Sequence, residues 1–393
     1  MAIYYWVGTT SQDWNTAANW GTTDGVAGGY STPPTSGDDA LFTALSASCT
    51  VTGTTAACKK LDFSQNGGYG SSTAVTFKIT NSTDHVTVNG DLLLSNNVTA
   101  GLTYSGSGQL RVGAGTGART LTSNYGATGL ALTSIVFTLV GGTSVTFALA
   151  DDWYIESFYL QSGGSYTFSG SQTIYVTSSL NAANPLTEIA GSGPTLVLYG
   201  AGSITWDNVL VQMTMNINTS GSLTIGTNSG SKYGFDTSTL TALSVGSVTC
   251  NGKFYLGVHG NCTINTGLSV KWNDVTTENS SSTVTLGNDL YITGNFTPGG
   301  NTNTITFNGS YSVFVKGNLS VGNNITTGTG GGIKGNATLM LQDWTTGTSW
   351  AGTWAAGGIT AIVKINTVVY SVNSHAILAT QAYYSTGSLT LNP

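Results

Sequence analysis

Ionisable side chains are scarce in this chain. Asp, Glu, Lys and Arg make up 7% of 393 residues, with 11 basic against 17 acidic side chains and a formal net charge of −6. So few Lys and Arg, nowhere clustered, leave little of the counterion release that drives nucleic-acid binding, so DNA and RNA are not expected partners. No apolar window reaches the length that spans a bilayer. The opening MAIYYWVGTTSQDW has neither a basic n-region nor an apolar h-region, which predicts synthesis in a cytoplasm without export by the usual signal. Walker, dinucleotide-binding, nucleophile-elbow, HExxH and CxxC motifs are missing, and no segment carries a convincing helical period. Proline is also rare, at 6 residues, and no Pro-rich or charged linker divides the chain.

The four cysteines form two local pairs, Cys49 with Cys58 and Cys250 with Cys262, each bracketing a turn-rich stretch. Hairpin disulfides and buried free thiols both remain open from the spacing, with free thiols favoured for a chain without a leader. Neither spacing is that of a zinc site, and His85, His259 and His375 are far apart in sequence.

What the chain does contain is alternation. Gly, Ser, Thr and Asn are spread throughout, and Val, Ile, Leu, Tyr and Phe recur at every second position in short runs, which argues against disorder despite the low charge. The clearest repeat lies at 283–324, where Tyr291-Ile292-Thr293-Gly294-Asn295-Phe296-Thr297 matches Phe314-Val315-Lys316-Gly317-Asn318-Leu319-Ser320. Strands of this kind, broken by Gly-Asn, Asn-Gly or Gly-Asp corners, predict stacked rungs that share one core. The expected fold is all-β, an elongated parallel β-helix (β-solenoid) with irregular rungs. Residues 1–63 are expected to form an N-terminal Trp-rich cap, 64–330 the rungs, and 331–393 a C-terminal β cap or small β-sandwich. The runs SIVFTLV, SVTFALA and SFYLQSGGSYTFSGSQTIYVTSSL, between Ser134 and Leu180, read as shorter or triangular rungs.

The first sixty residues hold Trp6-Val7-Gly8, Trp14, Asn19-Trp20, Pro34, Gly37-Asp38-Asp39 and Phe42. This W-x-G, N-W and P-x-x-G-D-D-x-x-F pattern resembles the opening of β-solenoid passenger regions in bacterial surface adhesins, and similar openings in structural proteins of tailed phages. The secretion signal and the membrane or wall anchor of such adhesins are not seen here. The resemblance implies a solenoid with a structural or surface role. It leaves Trp6, Trp14 and Trp20 as a cap or docking module, with a sugar platform as the alternative.

Three further sets of residues carry candidate chemistry. Asp151 and Asp152 lie close to Glu156, and a glycoside hydrolase needs two carboxylates within about 5–9.5 Å. Asp152 with Glu156, together with Asp274 and Glu278, are therefore the carboxylates of a depolymerase reading. A solvated turn or a calcium contact is the alternative at Asp151-Asp152, and solvated corners are expected for Asp274, Glu278 and Asp289. Trp344, Trp350 and Trp354, followed by Tyr383 and Tyr384, would serve as a cap, an oligomer contact or a ligand surface. The composite expectation is a non-enzymatic virion structural protein of a phage: a fibre, spike or decoration rod on the virion surface. Its expected partners are other virion proteins, copies of itself (a trimer by analogy) and a host surface glycan, with no cofactor and no membrane insertion. A bacterial or archaeal surface adhesin or filament subunit and a solenoid glycan depolymerase are the alternatives.

Overall fold

A computed structural model describes residues 1–94, 101–113, 118–122, 132–140, 145–161, 163–277, 282–298, 304–321, 332–335, 338–341, 354–356 and 364–365. The chain is a parallel β-solenoid of about ten turns. Helix among the described residues is confined to two 3-10 turns, Ala17–Asn19 and Gly267–Ser269. The chain divides into two compact units, Met1–Tyr199 and Gly200–Pro393.

In the first unit, a parallel ladder runs from Ile3–Trp6 through Asp39–Leu41, Lys60–Asp62, Leu92–Leu93, Arg119–Thr122, Val145–Leu149 and Ser165–Ser169 to the start of Thr187–Gly200. A second ladder joins Ala56–Cys58, His85–Val88, Gln109–Val112, Leu132–Leu139, Trp153–Leu160 and Thr173–Ala182. A third, of Cys49–Val51, Val75–Ile79 and Leu102–Ser105, completes a three-sided cross-section. Alternation places Val86, Val88, Leu110, Val112, Phe137 and Leu139 in the core, while Thr87 and Arg111 point outward.

From Leu132 onward the rungs are shorter, as expected: ladder partners stand 21 residues apart at Val136/Ser157 and at Val145/Tyr166, against 30 at Ala56/Val86 and 28 at Arg119/Phe147. The strands lengthen to 8, 8, 10 and 14 residues at Leu132–Leu139, Trp153–Leu160, Thr173–Ala182 and Thr187–Gly200. Register shifts at Leu132/Val136 and Ile155/Ser157 bend these strands without ending them. A bulge turns the chain while keeping its ladder, so a corner needs no Gly-Asn break.

The first strand has a different neighbour on each side. Ile3–Trp6 pairs in parallel with Asp39–Leu41 and antiparallel with Trp20–Thr23, which pairs antiparallel with Val26–Gly29. The expected N-terminal module is thus an antiparallel meander fused to the parallel ladder.

The second unit is three-sided wherever its three ladders are described. One face carries Lys232–Phe235, Lys253–Leu256, Asp274–Thr277, Phe296–Pro298 and Leu319–Val321. Another carries Thr239–Val245, Cys262–Asn265, Ser282–Leu286 and Thr304–Asn308. The third carries Lys271–Trp272, Leu290–Ile292, Ser312–Val315 and Thr338–Leu341. The repeat read from sequence is the observed register: Tyr291 lies opposite Phe314, Ile292 opposite Val315 and Phe296 opposite Leu319. The described strands past residue 331 extend the same ladders. The rest of 331–393, on which the expected C-terminal cap or sandwich depends, lies outside the described residues.

Candidate functional site

The N-terminal tryptophans are interior residues. Trp6, Trp14 and Trp20 are buried, and their rings form an edge-to-face cluster with centroids 4.9 Å (Trp6–Trp20) and 4.8 Å (Trp14–Trp20) apart. Phe42 continues it to Phe63 at 4.7 Å, and Phe63 to Phe77 at 5.0 Å. Trp6 Nε1 donates to the Ala47 carbonyl and Trp20 Nε1 to the Trp14 carbonyl. These faces are spent on packing, so the sugar-platform alternative fails for all three.

The polar members of the same motif hold the module together. Asn19 is fully buried: its Oδ1 accepts the Thr10 and Ser11 amides, and its Nδ2 donates to Ser11 Oγ and the Asp13 carbonyl. Asp38 accepts Ala2 N at 2.9 Å and Thr35 Oγ1 at 2.7 Å, tying the first strand to the turn before the second rung. The N-W and G-D-D elements therefore have a structural reason for their residue types.

Three of the candidate carboxylates, Asp152, Asp274 and Asp289, share with other corner residues a role that the sequence reading did not find. An Asp or Asn at a corner accepts a backbone N–H from a neighbouring rung. Asp91 takes Thr120 N at 2.8 Å and Asp152 takes Thr173 N at 2.7 Å. Asn261 takes Thr283 N at 2.7 Å, Asp274 takes Asn295 N at 2.7 Å, and Asp289 takes Ser312 N at 2.8 Å. Asn295 extends the column, its Oδ1 accepting Asn318 Nδ2 at 2.9 Å. Asp274 and Asp289 are thus rung-to-rung acceptors, a more specific role than the solvated corner expected of them. Glu156 sits half-buried at the bulge of Trp153–Leu160, and Glu278 lies outside the described residues. The spacing between rungs, twenty-odd residues, was the signal available: each acceptor and its donor are one repeat apart.

Outward-facing aromatics stack on one another. Tyr154 and Tyr175 lie 4.4 Å apart with planes 7° from parallel, and Tyr291 and Phe314 lie 4.8 Å apart at 4°. Burial, with Tyr175 alongside, pushes the Tyr154 hydroxyl up to about 12. Rings stacked along the rungs turn edges, not faces, to a ligand. Trp344, Trp350, Tyr383 and Tyr384 lie outside the described residues; Trp354 begins the strand Trp354–Ala356 opposite Leu319, its side chain also outside them.

All four cysteines are free thiols, and Cys49 and Cys58 stand on different ladders. Burial raises each of them, Cys250 up to about 12, which makes them poor nucleophiles. Two polar clusters remain. Arg111 Nη1 lies 3.2 Å from His85 Nε2 and its Nε donates to Gln109 Oε1 at 2.8 Å; burial, with Arg111 beside it, holds the imidazole below its ordinary range. In the second unit, Asp236 is fully buried and meets the His259 ring at 2.9 Å. Among the described residues no three His, Cys, Asp or Glu side chains converge as a metal site would require. No described helix is long and apolar enough to cross a membrane, which says nothing of β-barrels. Compared with family models, with curated proteins and with solved structures, the chain matches none.

Proposed function

We propose that this chain is a non-enzymatic structural protein of a phage virion: a fibre, spike or capsid-decoration element made in the host cytoplasm and displayed on the particle. The observation that supports this most is the use of the corner carboxylates. Asp152 and Asp274, two of the side chains a depolymerase would need, are instead bonded to the backbone of the next rung. One oxygen of each carboxylate is thereby tied to the neighbouring rung, a use that belongs to the scaffold. The buried aromatic opening and the likeness of its motif to phage and adhesin solenoids agree with a module that closes or docks a scaffold. In this reading the protein works as a homo-oligomer, a trimer by analogy, against other virion proteins, with a host glycan as its distal contact and no cofactor.

Gold-labelled antibody to the recombinant chain, viewed on intact particles and cells of the source, tests this. Label at a fixed head or tail position on virions is the expected result. Label confined to cell envelopes, with clean virions, overturns it in favour of an adhesin or filament subunit. New reducing ends in host polysaccharide incubated with the protein would return the depolymerase reading.

A further inference from the structure

Neutral acceptors hold Arg111 in one orientation on the outer face of the first unit. A neutral His85 ring that gives Nδ1–H to the Thr83 carbonyl at 3.3 Å leaves Nε2 to accept from Arg111 Nη1 at 3.2 Å, and Arg111 Nε donates to Gln109 Oε1 at 2.8 Å. No described carboxylate forms an ion pair with this guanidinium; Asp84, beside His85, accepts from Asn81 instead. The positive charge is thus oriented but unmatched, and the remaining N–H donors of the guanidinium have no described partner.

The outward column that holds Arg111 continues through polar groups in the same condition. Register places Thr138 beside Arg111 on the next rung, Tyr159 on the rung after and Asn181 on the one beyond. Thr138 faces outward on its strand yet is fully buried, and its hydroxyl has no hydrogen-bond partner. The Asn181 Oδ1 is likewise buried without a donor, as is the Oε1 of Gln161, which follows Tyr159 and Leu160 on the same face as Tyr159. Native proteins pair nearly all buried polar groups, so each exception calls for a reason. Here the exceptions gather on one face, on rungs about 4.8 Å apart, beside an unmatched guanidinium.

We propose that this face binds an acidic oligosaccharide, with Arg111 taking a sugar carboxylate and Thr138, Gln161 and Asn181 taking sugar hydroxyls. A planar guanidinium whose partners are neutral selects a carboxylate. A hydroxyl both donates and accepts, so sugar hydroxyls suit Thr138 and either orientation of the Asn and Gln amides. A simple oxyanion would satisfy Arg111 alone, and a neutral sugar would leave its charge unmatched. Arg111, Tyr159, Gln161 and Asn181 are half-buried, so rotation of their side chains brings the covered oxygens to a ligand that first meets Arg111. Three strand spacings separate Arg111 from Asn181, roughly 14 Å, which takes an oligomer and not a single ring. The inference rests on the reading of a host glycan as the distal contact, and gives that glycan a charge and a site.

Titration calorimetry tests this with oligomers of galacturonate, mannuronate and glucuronate, with neutral galactose oligomers of equal length, and with sodium acetate. At least one uronate oligomer is expected to bind about tenfold or more tighter than either control, and to weaken as salt rises. Arg111→Gln should lose about tenfold or more of that affinity. Thr138→Val exchanges an unpartnered buried hydroxyl for a methyl of similar shape. It should keep or raise Tm while weakening binding about threefold, a loss that a merely structural hydroxyl would not produce. No uronate binding, equal binding of uronate and acetate, or full uronate affinity in Thr138→Val would overturn the site. Should Arg111→Gln not fold, Thr138→Val and the acetate control decide. Particle labelling judges the virion reading separately: virions labelled at a fixed position, with no uronate bound, would remove this site and leave that reading in place.

Discussion

At the scale of single residues, a buried polar group in this protein is held by several partners at once. Asp62 has no exposed side-chain surface, yet it carries a Lys60 ion pair at 2.7 Å and hydrogen bonds from Ser64 N, Ser64 Oγ and Gln65 Nε2. Burial alone would raise its carboxyl; these donors outweigh burial and hold it below 3.8. A depressed folded value means stability that is present above 3.8 and lost as pH falls through the folded value. Thermal melts from neutral pH down to about pH 2 should therefore show an acid-side loss of Tm that is smaller in Asp62→Asn. Asp62→Ala should cost about 2–4 kcal/mol at neutral pH by urea unfolding, because Lys60 and the Ser64 and Gln65 donors lose their acceptor. Trp20 touches Trp6, Trp14 and Phe42 in a fully buried cluster. Trp20→Ala should cost about 3–5 kcal/mol and collapse the near-UV circular dichroism of the opening module. A mild effect would mean the three rings are not a shared core.

At the scale of elements, the unit of construction is the corner as much as the strand. Parallel strands bury their ladders, but a corner must leave the ladder, and its N–H groups then need another acceptor. Asp and Asn one rung away supply it, which explains why this weakly charged chain places so many of its acids at turns. The Asp274–Asn295–Asn318 column predicts a graded response. Asn295→Ala removes bonds at exposed positions on both sides and should cost about 1 kcal/mol, read as a shift in the urea midpoint with m unchanged. Loss of folding on this substitution would show that the column does more than satisfy backbone groups. The register of 283–324 was legible because Tyr291, Gly294 and Asn295 each have a like residue 23 positions on, and identical environments select like residues. The long strands of 132–200 were not legible. Their bends are bulges made by backbone register, and a bulge at Ile155/Ser157 leaves no Gly or Asn behind as a mark.

At the scale of the whole molecule, backbone pairing joins each rung to its immediate neighbours, so stability is close to a sum of local interfaces. Phe254 stacks on Trp272 at 3.9 Å within the second unit. Phe254→Leu should lower hydrogen-exchange protection first in Lys232–Phe235 and Asp274–Thr277, which flank its strand, and least in Ser312–Val315. Uniform loss across all three strands would mean that the unit unfolds in one step. The same locality bears on function. Corner acids bonded across rungs and outward rings stacked along them agree with the proposed scaffold role. Particle labelling is the experiment that tests the proposed display on a virion.

Alternation, corner residues and a repeat of twenty-odd positions determined by themselves that this chain is a parallel β-solenoid, because a pleated strand has a period of two and stacked rungs impose a common step. Only the tertiary structure decided what the polar residues are for. Sequence spacing cannot distinguish a carboxylate that faces water from one that caps an amide on the next rung, since both favour the same turn. It also cannot bring Asp236 to His259: that contact exists because two corners are stacked about one strand spacing apart, roughly 4.8 Å, and not because of anything adjacent to either residue in the chain.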